Sequence, residues 1–229
     1  MTSLYFDIRD DQWPLVYDKR YNVSVMGLEK CHVFDAKKWR NIIQYLKDAG
    51  LVSDDCLVNP LEAQKEDLLI VHTKKYLKSL KGNGYERDFL GVPEVYIMDM
   101  FNRNIYPKDK EAKRAIRRKI ELVSKVEDLE YMLKLRQNLK AALDEFKPDI
   151  LVYNAGTDIL DTDPLGQMRI SEIGIIKRDE FVFEICKEKR IPIVMLTSGG
   201  YLRRTAKIIA DSIINLHEKG LISGYKKRH

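Results

Sequence analysis

The sequence contains little cysteine and no long apolar segment. Only three of its 229 residues are cysteines (Cys31, Cys56 and Cys186), and no two of them have the C-x-x-C spacing. This sparse set argues against a structural zinc knuckle and is typical of proteins from a reducing compartment. No apolar run reaches the length of a membrane span, and the first residues lack the basic and apolar regions of a signal peptide. We therefore expect neither membrane insertion nor secretion.

Histidine is also scarce, with four residues: His32, His72, His217 and His229. No two of them are adjacent, and none stands one residue from an aspartate. His72 precedes a predicted helix and suits a structural hydrogen bond, while His217 lies late in the last predicted helix, where a cation complements the helix dipole. His32 follows Cys31 in a loop, so it is the conceivable metal ligand of the four. Histidine-based chemistry therefore has little support from spacing alone.

The chain has no strong excess of charge of one sign. Its net charge is +5 with a pI of about 8.9, yet seven basic residues fall within one short stretch. They are Lys108, Lys110, Lys113, Arg114, Arg117, Arg118 and Lys119. The favoured interpretation is a solvated face, with an acidic docking surface and a nuclear import signal as alternatives. Because no aromatic residues interleave with this stretch, we expect no direct binding to nucleic acid.

What is present is a strand–helix alternation in the second half of the chain. Apolar strands are predicted at 95–100, 119–123, 150–152 and 193–196. Helices are predicted at 127–146, 171–189 and 202–217, with Ser171 as the cap of the second. This βαβ pattern predicts a parallel sheet with right-handed crossovers. The first half predicts a strand at 13–17 and a helix at 36–49, capped by Asp35 and closed by Gly50. These strands are too few for a doubly wound sheet, so we expect one incomplete domain.

Two of the predicted strands run directly into glycine-bearing loops. The first leads into Tyr-Asn-Ala-Gly-Thr-Asp at 153–158, and the second into Thr-Ser-Gly-Gly-Tyr at 197–201. Active sites of open α/β sheets form at the carboxyl ends of the strands, so Asp158 and Tyr201 should converge in one crevice. Asp158 could be a metal ligand, a general base or a loop cap. Tyr201 could stabilise an oxyanion or be a partly buried tyrosine whose hydroxyl bonds to backbone.

These motifs together resemble the zinc-dependent histone deacetylases, specifically their class IV. The resembling stretches lie at 13–22, 26–30, 66–69 with 71–73, 82–84 with 86–89, 95–99, 115–119, 153–160 and 197–201. They follow the order of that family over nearly the whole chain. The resemblance implies an arginase/deacetylase-like fold of the α/β class, a parallel sheet with flanking helices.

The resemblance also implies a site and a chemistry. In the family, zinc is held by an Asp-x-His motif and a later aspartate, which Asp158 matches. A tyrosine in a Gly-Gly-Tyr motif polarises the acyl carbonyl, and Tyr201 matches it, with Gly199 and Gly200 in the substrate loop. The substrates would be proteins carrying acyl-lysine, such as histones, with deacetylase-complex proteins as possible partners. The expected location is the nucleus, the cytoplasm or both.

One block of the family pattern is missing. The Asp-x-His motif and the His-His pair that transfers protons should stand before Gly82, but the chain passes there directly from Leu80. We therefore predict one internally deleted domain over 1–229, with its junction near 80–82, central strands missing and apolar sheet edges exposed. Without a general base and with one matching ligand, zinc is not expected to be retained. The chain is predicted to be inactive, acting as an interaction module or decoy; the alternative is an active deacylase with substitute ligands such as His32 or His72.

Overall fold

The computed structural model describes residues 7–22, 35–64, 66, 67, 86, 88–105 and 109–224. In this part of the chain the strands are β1 (Ile97–Asn102), β2 (Ile116–Leu122), β3 (Leu151–Gly156) and β4 (Ile193–Ser198). The α-helices are α1 (Lys38–Asp48), α2 (Asp128–Glu145), α3 (Glu172–Lys189) and α4 (Thr205–Glu218), and 3₁₀ turns occur at Lys19–Tyr21, Asp54–Cys56 and Ala112–Arg114. Each predicted strand and helix of the second half is present, with boundaries shifted by up to four residues.

All four strands pair in parallel, as predicted, but in two separate sheets among the described residues. β1 pairs with β2, and β3 pairs with β4 in a register that sets Leu151 opposite Ile193. The helix α3 is the crossover between β3 and β4, which parallel strands require. The α/β class with parallel strands and flanking helices is therefore confirmed. Because β1 and β3 are not paired with each other, the space between them borders the candidate site.

Helix ends follow the predicted caps in two places and depart from them in one. Ser171 caps α3, with its Oγ accepting a hydrogen bond from the Gly174 N–H at 2.9 Å. Gly50 follows α1 with a φ of +71°, which glycine adopts without strain. The prediction that Asp35 is the N-cap of α1 was wrong. The helix begins at Lys38, because the Asp35 carboxylate accepts from the Lys37 N–H at 3.0 Å one turn earlier.

The predicted strand at 13–17 is reduced to an isolated bridge. Val16 pairs with Val58 in parallel, and the Val58 N–H donates to the Leu15 carbonyl at 3.0 Å. The bridge shows that the backbone at Val16 is extended and paired, as predicted, although no regular strand forms. The Trp13 and Tyr17 N–H groups also donate to the Cys56 and Val58 carbonyls, at 2.6 and 3.1 Å.

Two apolar clusters hold the elements together. The larger joins α2 and α3 to β2 and to the segment 159–170. The smaller joins α1 to α4 and includes Trp13, Val52 and Leu57. No helix among the described residues is both long and apolar enough to cross a bilayer.

The basic stretch is partly engaged by the protein itself. On β2, Arg118 donates to the Glu145 carboxylate at 2.8 Å, and Arg117 lies 5.7 Å from the Tyr96 ring centroid. Burial alternates along β2, with Ile116 and Ile120 inside. β2 therefore alternates buried and exposed residues, as a strand with one solvent-facing side does.

Several predictions fall on residues that the structure does not describe. These are Cys31, His32, His72, His229 and residues 82–84. Among the described residues, His217 lies in the last turn of α4, where its ring meets the edge of Trp13 at 5.1 Å between centroids. Cys56 and Cys186 are both free thiols.

Candidate functional site

The loops after β3 and β4 meet at the carboxyl edge of their sheet. The Thr157 hydroxyl donates to the Gly199 carbonyl at 3.1 Å, and the Tyr201 N–H donates to the Asp163 carboxylate at 2.8 Å. The predicted convergence of the two glycine-bearing loops is therefore observed. The structure brings Asp158 and Tyr201 into the same neighbourhood, where Asp158 acts electrostatically on the tyrosine.

The two glycines of the second loop are required by packing against the first. A Cβ on Gly199 would lie 2.7 Å from the Asp158 Cγ and 2.9 Å from both carboxylate oxygens. A Cβ on Gly200 would lie 2.0 Å from the Thr157 Oγ1, and the φ of Gly200 is +91°. A side chain at either position would displace the first loop, since no real Cβ approaches another atom so closely.

Burial and neighbouring charges of both signs act on the pKa of Asp158. Burial raises the pKa of this half-buried carboxyl, and Asp163 raises it further, whereas Arg178 and Lys38 oppose the shift. Burial also raises the pKa of the Tyr201 phenol, with Asp158 and Asp163 acting in the same direction. Tyr201 is thus held as a neutral hydrogen-bond donor at neutral pH.

Lys38 is a member of this site that the sequence did not reveal. Its side chain is 1% exposed, and its Nζ donates to the Ser198 carbonyl at 2.7 Å and to the Gly199 carbonyl. Burial lowers its pKa to about 8, against the pull of nearby carboxylates that include Asp158 and Asp163. The ammonium therefore fixes the turn that carries the two glycines. No local signal marks Lys38, because its partners lie 160 residues further along the chain.

Asp163 combines turn chemistry with a bridge between the loops. Its Oδ1 accepts from the Leu165 and Gly166 N–H groups at 2.9 and 3.1 Å. Its Oδ2 accepts from Tyr201, as described above. The turn role is ordinary chemistry for an Asp-Pro pair, while the bridge to Tyr201 depends on the fold.

Arg178 is the second functional-site residue that sequence reasoning missed. The arginine is 4% exposed and its neighbour Asp179 is 1% exposed. Arg178 Nη1 donates to the Gly156 carbonyl at 2.5 Å and Nε donates to Asp179 at 2.9 Å, while Asp179 also accepts from Tyr153 and Ser212. Burial alone would lower the pKa of Arg178, but Asp179 and two tyrosine hydroxyls hold it above its ordinary value.

One donor of this network has no hydrogen-bond acceptor among the described residues. Arg178 Nη2 lies 2.9 Å from the Asp179 Oδ1, so the charges are paired, but the N–H directions do not make a hydrogen bond. Buried donors are rarely left unsatisfied, since each costs about 1–3 kcal/mol. This nitrogen is inaccessible to solvent, and its charge contact with Asp179 offsets part of that cost.

A cavity separates the two sheets next to these residues. It has a volume of about 370 Å³, and both β1 and β3 contribute to its wall. Its lining includes Asp99 and Met100 from β1, Asn154 and Gly156 from β3, Asp158, and Arg178. Burial raises the pKa of Asp99 to about 6, with Glu86 adding to the shift and Lys113 opposing it.

The described residues do not supply a set of ligands for a metal. Nowhere in this part of the chain do three or more His, Cys, Asp or Glu side chains gather in a way that could hold an ion. A catalytic zinc is held by three protein ligands and keeps one open position. Asp158 alone does not fit that requirement, and two of its close electrostatic partners are the cations Lys38 and Arg178.

Comparison with known proteins relates this chain to one family. The histone deacetylase domain matches residues 80–216. Histone deacetylase 2 from Arabidopsis thaliana is 34% identical over 320 aligned residues, which cover 96% of this chain and 83% of the plant protein. Because the alignment is longer than this chain of 229 residues, a long run of the plant sequence has no counterpart here.

Solved structures relate the fold to the same group. The crystal structure of the HDA15 HD domain has a TM-score of 0.70 with 16% identity and covers 90% of each chain. That of a histone deacetylase homologue from Aquifex aeolicus has a TM-score of 0.68 with 15% identity, covering 91% of this chain and 84% of the other. At this identity the likeness establishes the fold.

Proposed function

Because this chain belongs to the histone deacetylase family, we propose that it is a class IV deacetylase-like domain that binds proteins without hydrolysing acyl-lysine. The observation that carries the proposal is the cavity beside Asp158, where the described residues offer a single aspartate matching the family's metal ligands. The alignment with the Arabidopsis protein is longer than this chain, which supports an internal deletion as the reason that the other metal ligands are missing. The class is assigned on the residues that carry the resemblance.

Loss of the zinc ligands and of the His-His pair would remove the main catalytic groups of the family. Amide hydrolysis by this family needs zinc to acidify water, and a bound water reaches a pKa of about 7 only on the metal. A matched proton shuttle contributes roughly 10²–10⁴ in rate, and the His-His pair that supplies it in the family has no counterpart in this sequence. Tyr201 can still donate a hydrogen bond to an acyl carbonyl, and the Gly199–Gly200 turn keeps it in place. What remains is suited to holding an acyl-lysine side chain or a deacetylase-complex protein.

The test is the zinc content and deacylase activity of the purified, monodisperse chain after dialysis against a weak chelator. We expect far less than one zinc per chain and no acyl release above a protein-free blank. Asp158→Ala and Tyr201→Phe should leave both readings unchanged. One zinc per chain that is lost in Asp158→Ala, together with activity lost in both variants, would establish substitute ligands and an active enzyme instead.

A further inference from the structure

Among the described residues, each of the two strands beside the cavity has one edge without a ladder partner. The Leu151 N–H donates to the Pro192 carbonyl, so the backbone groups of 151, 153 and 155 point toward β4. Successive residues of a strand point their backbone groups to opposite sides, so those of Val152, Asn154 and Gly156 point away from β4. Among the described residues, β3 pairs with β4 alone, so its other edge has no described ladder partner.

The edge of β1 has the same character. The Arg103 N–H donates to the Leu122 carbonyl, so the backbone groups of 99, 101 and 103 point toward β2. Those of Met98 and Met100 therefore point away from it. Met100 and Asn154 both line the cavity, so two strand edges that lack a partner among the described residues contribute to one space. Such edges are templates for a further strand.

The charged residues that line the cavity indicate which side chain a bound strand would carry. Arg178 lines the cavity, but its guanidinium is already paired with Asp179 and bonded to the Gly156 carbonyl. Asp99 and Asp158 line the same space, and the two carboxylates act on each other electrostatically. A cationic side chain would relieve that repulsion.

We propose that the cleft between β1 and β3 binds one extended peptide strand of a partner protein, which pairs with both edges and places a lysine beside Asp99 and Asp158. The inference rests on the proposed function, because the strand takes a place that an intact domain would fill. It differs from binding at Tyr201, since recognition here comes from backbone hydrogen bonds. This mode of recognition is β-augmentation, in which main-chain bonds give affinity and side-chain pockets give specificity.

The test uses three fluorescein-labelled hexapeptides with acetylated and amidated ends. The first alternates valine and threonine with one central lysine, the second is the same peptide N-methylated at alternate amides, and the third replaces lysine by norleucine. Anisotropy titrations should show saturable binding of the first. N-methylation should weaken it at least about tenfold, and norleucine about tenfold, as expected when a charge-assisted hydrogen bond is lost.

Chain variants locate the lysine. In Asp99→Asn, the lysine and norleucine peptides should bind with affinities within about twofold of each other. The matched control is Asp149→Asn, at the exposed amino end of β3, which should behave as the wild type. Thermal melts of both variants verify folding before titration.

Equal binding of the parent and N-methylated peptides, or no saturable binding of either, would overturn the proposal. A lysine preference that persists in Asp99→Asn would overturn the placement of the cation. All titrations use chelator-treated chain of measured zinc content. A zinc-loaded chain would refute the proposed function, while the peptide comparison would remain a separate result.

Discussion

The two sheets differ in how well their residues suit their present surroundings. In β2, apolar residues point inward and charged residues outward, as an amphipathic strand should. In the second sheet, Val152 is 58% exposed and its register partner Val194 is 44% exposed. Apolar residues on both faces are typical of parallel strands covered by helices on both sides. The β3–β4 sequence is thus that of a sheet with a second layer, while β2 suits an outer position.

The same sheets differ in how they are anchored. The second is tied through Gly156, Arg178 and Asp179 to α3 and α4, by groups that water does not reach. The ion pair that links the first sheet to α2, between Arg118 and Glu145, is partly exposed. Exposed ion pairs contribute little to stability, and buried ones cannot lose one partner cheaply. Mutations should therefore have unequal effects in the two sheets.

The strongest test of this inequality is Arg178→Met. Removal of the guanidinium leaves Asp179 buried without its counter-charge and frees the Gly156 carbonyl. We expect the free energy of unfolding to fall by about 3–5 kcal/mol, measured by urea denaturation. Arg103→Met, just after β1 and exposed, is the control and should change it by less than about 0.5 kcal/mol. Equal losses in the two variants would remove the distinction between the sheets.

A second test titrates Lys38. The folded pKa of about 8 lies below the ordinary lysine pKa of 10.5, so between these pH values the unfolded chain binds more protons. The contribution of Lys38 to stability should therefore rise as the pH increases from about 8 to about 10.5, by at most about 3 kcal/mol. The measurement is the pH dependence of the difference in unfolding free energy between wild type and Lys38→Met.

Any group that titrates identically in the two chains cancels in that difference. Lys37→Met supplies the control, because Lys37 is exposed and adjacent. If the curves of wild type and Lys38→Met run parallel from pH 7 to 11, the ammonium is not desolvated as the structure indicates.

The smallest expected effect concerns the exposed valines. The double change Val152→Thr and Val194→Thr should alter the unfolding free energy by less than about 0.5 kcal/mol, because little apolar area is lost from the core. It should also lower the tendency to aggregate, read as light scattering at high concentration. Ile120→Thr in β2 is the contrast, with a cost of about 2 kcal/mol or more for a buried hydroxyl. A large loss in the valine variant would mean that another layer covers this face.

Local sequence signals predicted the elements but not their long-range partners. Ser171 and Gly50 marked helix ends because capping depends on neighbours within a turn. Asp35 misled because the same carboxylate can satisfy a turn before the helix starts. Lys38 and Arg178 carried no signal, since a buried cation is recognised only from acceptors that the fold brings close. The roles of Asp158 and Tyr201 in chemistry stay predictions from the resemblance.

The pairing of α1 with α4 has a consequence for the order of assembly. These two helices pack in the smaller cluster, although one starts at Lys38 and the other ends at Glu218. On the ribosome, where chains emerge at about 5–20 residues per second, the partner of α1 is made last. The β3–α3–β4 unit is contiguous and can close early, whereas α1 must wait with its apolar side uncovered. Chaperones that hold nascent chains should therefore meet the amino-terminal helix first and release it last.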